Sequence, residues 1–198
     1  MVSDTKKQVI SLYLYSWTKR FLDITVSSLL LPSALIIIVL ASLIILIREG
    51  RPIFFIHQRT GKNGKLFLLP KLRTLLADAN PYEMSTGSDS LHLVTVVGKL
   101  LRRHRLDELP QLFSVLKGSM SLVGPRPELP NIVATYDSLQ RKRLLAKPGI
   151  TGLWQIMGDR SVNIHQDIKY DLYYLRKASF WLDIKILTLT IPFVLNPK

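Results

Sequence analysis

From Phe21 to Ile47 the chain runs for 27 residues with one charge, Asp23. As a straight helix this stretch is about 40 Å long, against roughly 30 Å for the hydrocarbon core of a bilayer. Such a segment is expected to lie in lipid. It is too long for a signal-peptide core, and no small-residue cleavage site follows it. Pro32 stands inside it, and a proline removes one helical hydrogen bond and kinks the axis. Ser27, Ser28 and Ser33 are close enough to satisfy the freed groups. Cations flank both sides: Lys19 and Arg20 before, then Arg48, Arg51, Arg59, Lys62 and Lys65. Positive flanks stay in the cytoplasm, which puts both ends on one face. A re-entrant helix-break-helix bent at Pro32 reconciles these signals; a single crossing and a buried soluble helix are the alternatives. The first arm, about ten residues, reaches roughly 15 Å, the bilayer midplane.

The remainder is basic and polar. The 198 residues carry a net charge of +13, which suits one domain and calls for an anionic partner. With no cysteine there is no disulfide and no thiolate metal site. The four histidines show no metal-ligand spacing. Residues 8–20, with Tyr13, Tyr15 and Trp17, read either as an interfacial helix or as a polar lead-in. Runs 53–57 and 65–69 flank Gly61-Lys62-Asn63-Gly64 and predict a β-hairpin. Residues 77–91 read as a polar loop. Helices are predicted over 95–103, from Asp107 to about Leu116 with Gly118 as its stop, and over 128–145, 164–177 and 180–190. The fold class expected is α+β, mainly helical. Residues 1–50 form an interfacial lead-in and the re-entrant membrane helix. Residues 51–198 form a small cytoplasmic globular domain with a β-hairpin and surface amphipathic helices, the two making one functional unit.

Between Arg105 and Glu128 lie the residues that carry chemistry. Asp107 and Glu108 follow Arg102, Arg103, His104 and Arg105, at the expected start of a helix. A helix N-terminus favours an ionised carboxylate and a bound phosphate. A carboxylate can attack phosphorus, and its neighbour can ligate Mg²⁺, which bridges diphosphate oxygens. Taken alone, Asp-Glu at a helix start is more often a plain cap. Arg126, between Pro125 and Pro127, is a pre-set guanidinium suited to bidentate phosphate binding. Lys71 and Arg73 share a face if extended and would meet an anionic headgroup; a charged edge strand is the blander alternative. Lys147 opens a Pro-Gly-Ile-Thr-Gly run that could cradle a phosphate or nucleoside; an ordinary tight loop reads the same way. Asp167, Asp171 and Asp183 read as solvated helix faces.

Taken together and in order, these motifs resemble the bacterial sugar transferases, the monotopic phosphoglycosyl transferases. The match runs from Lys19-Arg20-Phe21-Leu22-Asp23 through Pro52-Ile53-Phe54-Phe55, Gln58-Arg59-Thr60-Gly61 and Lys71-Leu72-Arg73-Thr74. Its most specific parts are Leu106-Asp107-Glu108-Leu109-Pro110-Gln111 and the run from Ser121 to Glu128. Pro148 to Gln155 and Ser179 to Lys185 complete it. The resemblance implies transfer of a sugar-1-phosphate from a nucleotide sugar, usually UDP-linked, to a polyprenyl phosphate such as undecaprenyl phosphate, with release of UMP. It implies Mg²⁺ and a covalent phosphosugar intermediate on Asp107, with Glu108 as metal-binding or acid-base partner. Arg126, Lys71, Arg73, Arg105, Arg102, Lys147 and Gln155 would bind phosphate or substrate, and Pro32 would mark the membrane break. Asp107 and Glu108 would be the metal ligands. The implied setting is the cytoplasmic face of the bacterial inner membrane, at the first membrane step of surface glycan assembly. The partners implied are donor, acceptor and membrane lipid, with downstream glycosyltransferases taking the product and room for a homodimer. The chain lacks the N-terminal multispan region of larger members and reads as a minimal catalytic unit.

Three positions depart from the pattern. Leu31 precedes Pro32 where serine is usual, which puts the break angle in question. Leu72 and Leu75 replace Phe and Met, an apolar swap. Ser119 stands where an aspartate is frequent. A non-catalytic membrane-surface scaffold binding anionic lipid would explain the charge and the apolar run, but not an acid pair beside a rigid Pro-Arg-Pro. Nucleic-acid binding is set aside because no recognisable motif for it is present.

Overall fold

One long helix carries the rest of the chain along its side. In the computed structural model, which describes residues 2–76, 79, 93–159 and 162–195, helix α1 spans Val2–Glu49 without interruption. Pro32 lies inside it, and Ser33 Oγ donates to the Leu30 carbonyl at 2.9 Å, occupying one acceptor next to the proline. The expected helix-break-helix is therefore a continuous helix containing a proline. The physical reason is that a proline costs about 3 kcal/mol locally, whereas leaving the helix altogether in an apolar setting would strand several backbone groups.

The two faces of α1 differ. Ala34, Ile38, Ala41 and Ile45 repeat at helical spacing and are buried, the last three against Leu72 and Leu101. Leu29, Ile36, Val39, Leu40 and Ile47 are exposed. From Tyr15 to Glu49 the helix is long and apolar enough to cross a membrane.

Both ends of the apolar run are fastened to the same globular body. At the lower end Lys19 Nζ donates to Asp183 Oδ2 at 2.8 Å and to the Val123 carbonyl at 2.9 Å. Arg20 donates to the carbonyls of Val115 and Leu116, both at 2.7 Å. Asp23 accepts from Ser121 Oγ and from the Leu122 N–H, both at 2.9 Å. At the upper end Arg73 Nη2 donates to the carbonyls of Glu49 and Gly50, at 2.8 and 2.9 Å. The lone acid of the apolar run is thus a tertiary anchor. Tyr15, read as interfacial, turns inward and donates to Asp183 at 2.9 Å, while Trp17 is exposed.

Strands β1 (Phe54–Thr60) and β2 (Leu66–Leu72) form the antiparallel hairpin, in register from Phe54↔Leu72 to Thr60↔Leu66. Each strand is longer than the sequence reading had it. Asn63, with φ of 56°, and Gly64, with φ of 77°, make the turn. The polar loop at 77–91 falls almost wholly outside the described residues. Helix α2 (Val96–Arg103) follows, capped by Thr95 Oγ1 on the Gly98 N–H.

The helix expected from Asp107 starts instead as a 3₁₀ helix, Leu106–Gln111, and becomes helix α3 only at Leu112–Lys117. Pro110 sits in the tight portion, where its missing N–H costs little. Gly118 ends α3 with φ of 87°. Strand β3 (Ser121–Val123) pairs in parallel with β4 (Gly149–Thr151), a contact that the sequence reading did not anticipate. The helix expected over 128–145 is split. Helix α4 (Pro130–Ala134) ends, and Asp137 accepts from the N–H groups of Leu139 and Gln140 to start a 3₁₀ helix, Gln140–Leu145. Helices α5 (Leu153–Met157), α6 (Lys169–Lys177) and α7 (Phe180–Leu195) complete the body. Met120, Val123, Val115 and Ile186 form its core against Ala34 of α1.

Candidate active site

Arg105 holds a left-handed conformation, φ of 54°, and turns the chain sharply out of α2. The 3₁₀ turn that follows buries Asp107 and Glu108 at the wall of a cavity of about 560 Å³. Strand β2 supplies Lys71 from across the cavity, and the loop after β3 supplies Arg126. Lys71 Nζ lies 2.6 Å from Glu108 Oε1, and Arg126 Nη2 lies 3.2 Å from the same oxygen. Arg105 Nη1 approaches the other oxygen at 3.8 Å.

The two acids are treated differently. Burial by itself would raise the Glu108 pKa, but Lys71 and Arg126 outweigh it and hold the carboxyl well below the usual range. Asp107 makes no hydrogen bond among the described residues. Burial pushes its pKa up, and the like charge of Glu108 adds to the shift against the pull of Lys71. One member is a clamped anion; its neighbour is a basic carboxylate facing open space.

The loop that carries Arg126 is gripped at four successive carbonyls. Pro125 accepts from the Gly149 N–H at 2.9 Å, and Arg126 from Arg143 Nη2 at 3.0 Å. Pro127 accepts from Arg59 Nη1 at 3.4 Å, and Glu128 from the Thr60 N–H at 3.0 Å. Arg143 is buried and pairs with Asp171 at 2.9 Å, while its Nη1 donates to the Tyr136 hydroxyl. The reading of Asp171 and Asp183 as solvated is corrected: both are buried partners of cations, Arg143 and Lys19.

Seven of the nine expected substrate-site residues line this one cavity: Asp107, Glu108, Arg126, Lys71, Arg73, Arg105 and Arg102. Lys71 and Arg73 nonetheless do separate work, since Arg73 spends Nη2 on the end of α1. Arg102 Nε donates to Thr74 Oγ1 at 2.8 Å. Lys147 lies elsewhere, lining a second cavity with Lys19, Arg20 and Lys62. The glycines after it serve packing. A Cβ on Gly149 would stand 2.1 Å from the Gly124 nitrogen, and one on Gly152 would stand 2.2 Å from the Gly124 oxygen. Main chain therefore presses on main chain where a phosphate cradle was expected.

Gln155 lines a third, apolar cavity of about 370 Å³ with Leu30, Ala34, Ile37 and Leu187. Glu108 and Arg105 line that cavity too, so a polar and an apolar space meet at these two residues. Sequence reasoning missed His57, Arg143, Asp171 and Tyr136. Their signals were a histidine in a strand, a charge in a basic run, an acid on a helix and a tyrosine in the helix expected over 128–145, none distinctive before folding.

No cluster of three or more His, Cys, Asp or Glu side chains stands among the described residues. Asp107 and Glu108 would be the residues to hold a magnesium ion, which needs only one or two carboxylates from the protein.

A buried acid pair ringed by arginine and lysine stands beside a helix with an exposed apolar face, long and apolar enough to cross a membrane. The chain belongs to the bacterial sugar transferase family, whose model matches residues 14–197. It is 39% identical over 196 residues to the galactosyl transferase CpsE of Streptococcus agalactiae, covering 92% of this chain and 43% of that protein. It is 40% identical to the uncharacterized sugar transferase EpsL of Bacillus subtilis, over 89% of this chain and 87% of that one. The undecaprenyl-phosphate galactose phosphotransferase of Salmonella typhimurium is 38% identical over 75% of this chain and 34% of its own length. The chain thus spans less than half of two of these relatives and most of the third.

Proposed function

We propose that this protein transfers a sugar-1-phosphate from a UDP-sugar to undecaprenyl phosphate, releasing UMP, at the cytoplasmic face of the inner membrane. The observation that carries the reading is the pairing of an unpartnered, basic Asp107 with a Glu108 locked among cations. The named activity of the Salmonella relative supports the acceptor and the phosphotransfer. An Asp107 oxygen attacks the phosphorus that bears the sugar; the bond to the UMP oxygen breaks and UMP leaves. A phosphate oxygen of the acceptor then attacks that phosphorus, freeing Asp107 and forming the polyprenyl-diphosphate sugar, which passes to downstream glycosyltransferases. Glu108 stays ionised and holds Lys71 and Arg126 towards the diphosphate oxygens. Magnesium, held by Asp107 and Glu108, would neutralise diphosphate charge.

The apolar cavity beyond Glu108 and Arg105 suits the first isoprene units of the acceptor, with its phosphate at the polar junction. Re-entrance of α1, by a bend at Pro32 within the continuous helix, is part of the same reading. It is supported by the anchoring of both ends, at Lys19–Asp23 and at Glu49–Gly50, to one globular body.

The test is UMP release in nanodiscs containing undecaprenyl phosphate, with UDP-glucose, UDP-galactose and UDP-N-acetylgalactosamine as donors. Wild type is expected to release UMP from at least one donor, and Asp107→Asn to lose at least about a thousandfold. Full activity in Asp107→Asn would remove the proposed nucleophile.

A further inference from the structure

The second cavity, of about 610 Å³, takes no part in the proposed reaction and shares no lining residue with the cavity of the acid pair. Four cations line it, Lys19, Arg20, Lys62 and Lys147, against one acid, Asp23. Three of these five are spent on the fold. Lys19 pairs with Asp183, Arg20 donates to the carbonyls of Val115 and Leu116, and Asp23 accepts from Ser121 and the Leu122 N–H.

Lys62 and Lys147 make no hydrogen bond or ion pair among the described residues. Lys62 is exposed between β1 and β2, and Lys147 is half-buried. Arg20 Nη2 and Lys147 Nζ would stand 3.5 and 3.7 Å from a Cβ placed on Gly118, so both cationic nitrogens bear on the same small space above that glycine. Burial, then the nearby charge of Arg20, pushes the Lys147 pKa down, and Lys62 and Lys19 add to the shift against the pull of Asp23. A group of cations this poor in anions repels itself, and an added anion relieves the repulsion.

The place of the cavity selects the anion. Trp17, on its rim, is 65% exposed, and Phe21 and Ile24 follow at helical spacing and are exposed too. The apolar run begins at Phe21, so the cavity lies where α1 passes from hydrocarbon to headgroups, the level that suits tryptophan and lysine. Leu145 adds an exposed apolar side chain to the lining. The Lys19 end meets the interface whether α1 bends or crosses. A phospholipid with its chains along Trp17 and Phe21 would set its phosphate among the cations. A choline or ethanolamine headgroup would bring another cation into the cluster, whereas a net-anionic headgroup brings only the missing sign.

We propose that this cavity is a binding site for the phosphate of an anionic membrane phospholipid, held by Lys62 and Lys147 beside Arg20. The site stands apart from the acid pair and does not depend on which reaction the acid pair performs.

The test titrates the full chain in dodecyl maltoside with phosphatidylglycerol, phosphatidylcholine or inorganic phosphate and reads apparent affinity from the rise in Tm. Wild type is expected to bind phosphatidylglycerol at least about tenfold more tightly than phosphatidylcholine and to respond little to inorganic phosphate. Lys62→Gln combined with Lys147→Gln should weaken phosphatidylglycerol binding at least about tenfold, and Lys62→Gln alone, at an exposed position, about fivefold. Lys99→Gln combined with Lys142→Gln removes the same charge from exposed positions outside the cavity and should leave the affinity unchanged. Melting of each variant without lipid reports that it is folded. Equal affinity for the two lipids overturns the proposal, as does unchanged affinity in the folded Lys62 and Lys147 variants. An equal loss in the Lys99 and Lys142 variant overturns it by making net charge responsible. A response to inorganic phosphate as large as that to phosphatidylglycerol overturns it by giving the site to a soluble anion.

Discussion

Arg143 Nη2 donates to the main-chain oxygen of Arg126 at 3.0 Å, so one buried arginine sets the position of another that faces the acid pair. The same guanidinium spends Nε on Asp171 and Nη1 on Tyr136. Three acceptors around one group suit the five-donor fork of a guanidinium.

Replacing Arg143 by methionine strands Asp171 in the interior and frees the Arg126 carbonyl. Removing one partner of a buried ion pair costs about 3–5 kcal/mol. Thermal unfolding in detergent is expected to show that loss, with a higher donor KM in whatever protein stays folded. Arg143→Lys keeps the charge but presents a single ammonium, and should recover only part of either loss. A methionine variant as stable as wild type would show that the pair carries no weight.

Two glycines are needed for different reasons, and alanine should separate them. At Gly149 a Cβ meets the Gly124 nitrogen at 2.1 Å, main chain that has no room to move. Gly149→Ala is expected to cost about 3 kcal/mol or more and to displace the Arg126 loop. At Gly50 nothing lies within 4 Å, and only its φ of 71° resists a side chain. Gly50→Ala should cost about 1–2 kcal/mol. Chemical denaturation of the two variants side by side checks the difference.

The buried His57 ring predicts a pH dependence of stability. Its pKa falls from 6.5 to about 3 on folding. Between those values the unfolded chain holds a proton on this ring that the folded chain does not. Stability therefore rises with pH across that window, and is lost as pH falls through it, by up to about 1.4 kcal/mol per unit. Unfolding measured at pH 6.5 and pH 4.5 should show a smaller difference in His57→Asn than in wild type. Equal differences would mean that the ring is charged in the fold.

The topology of α1 can be read by labelling. Cysteines introduced at Thr5 and Lys62 are expected to react with an impermeant maleimide from the same side of sealed vesicles. Labelling from opposite sides would establish a crossing helix and end the re-entrant proposal.

Much of the architecture was legible along the chain because it is local. The apolar run, the hairpin around Asn63-Gly64 and the Gly118 stop depend on neighbours in sequence. So did the acid pair, since Asp107 and Glu108 are adjacent whatever the fold. The split of the 128–145 segment was not legible, because Asp137 reads as an ordinary helix residue until its carboxylate is seen to accept from the Leu139 and Gln140 N–H groups.

The sequence by itself determined that this chain has an apolar helix, a hairpin and a dense set of cations around two acids. Only the tertiary structure decided which cation serves which anion. Arg73 was a phosphate candidate in the linear chain and is spent on the end of α1, as Lys19 is spent on Asp183 and Arg143 on Asp171. Lys71 and Arg126 remain at Glu108. The reason is that charge is a property of a residue, whereas pairing depends on distance, and these distances close across 18 to 164 residues of chain.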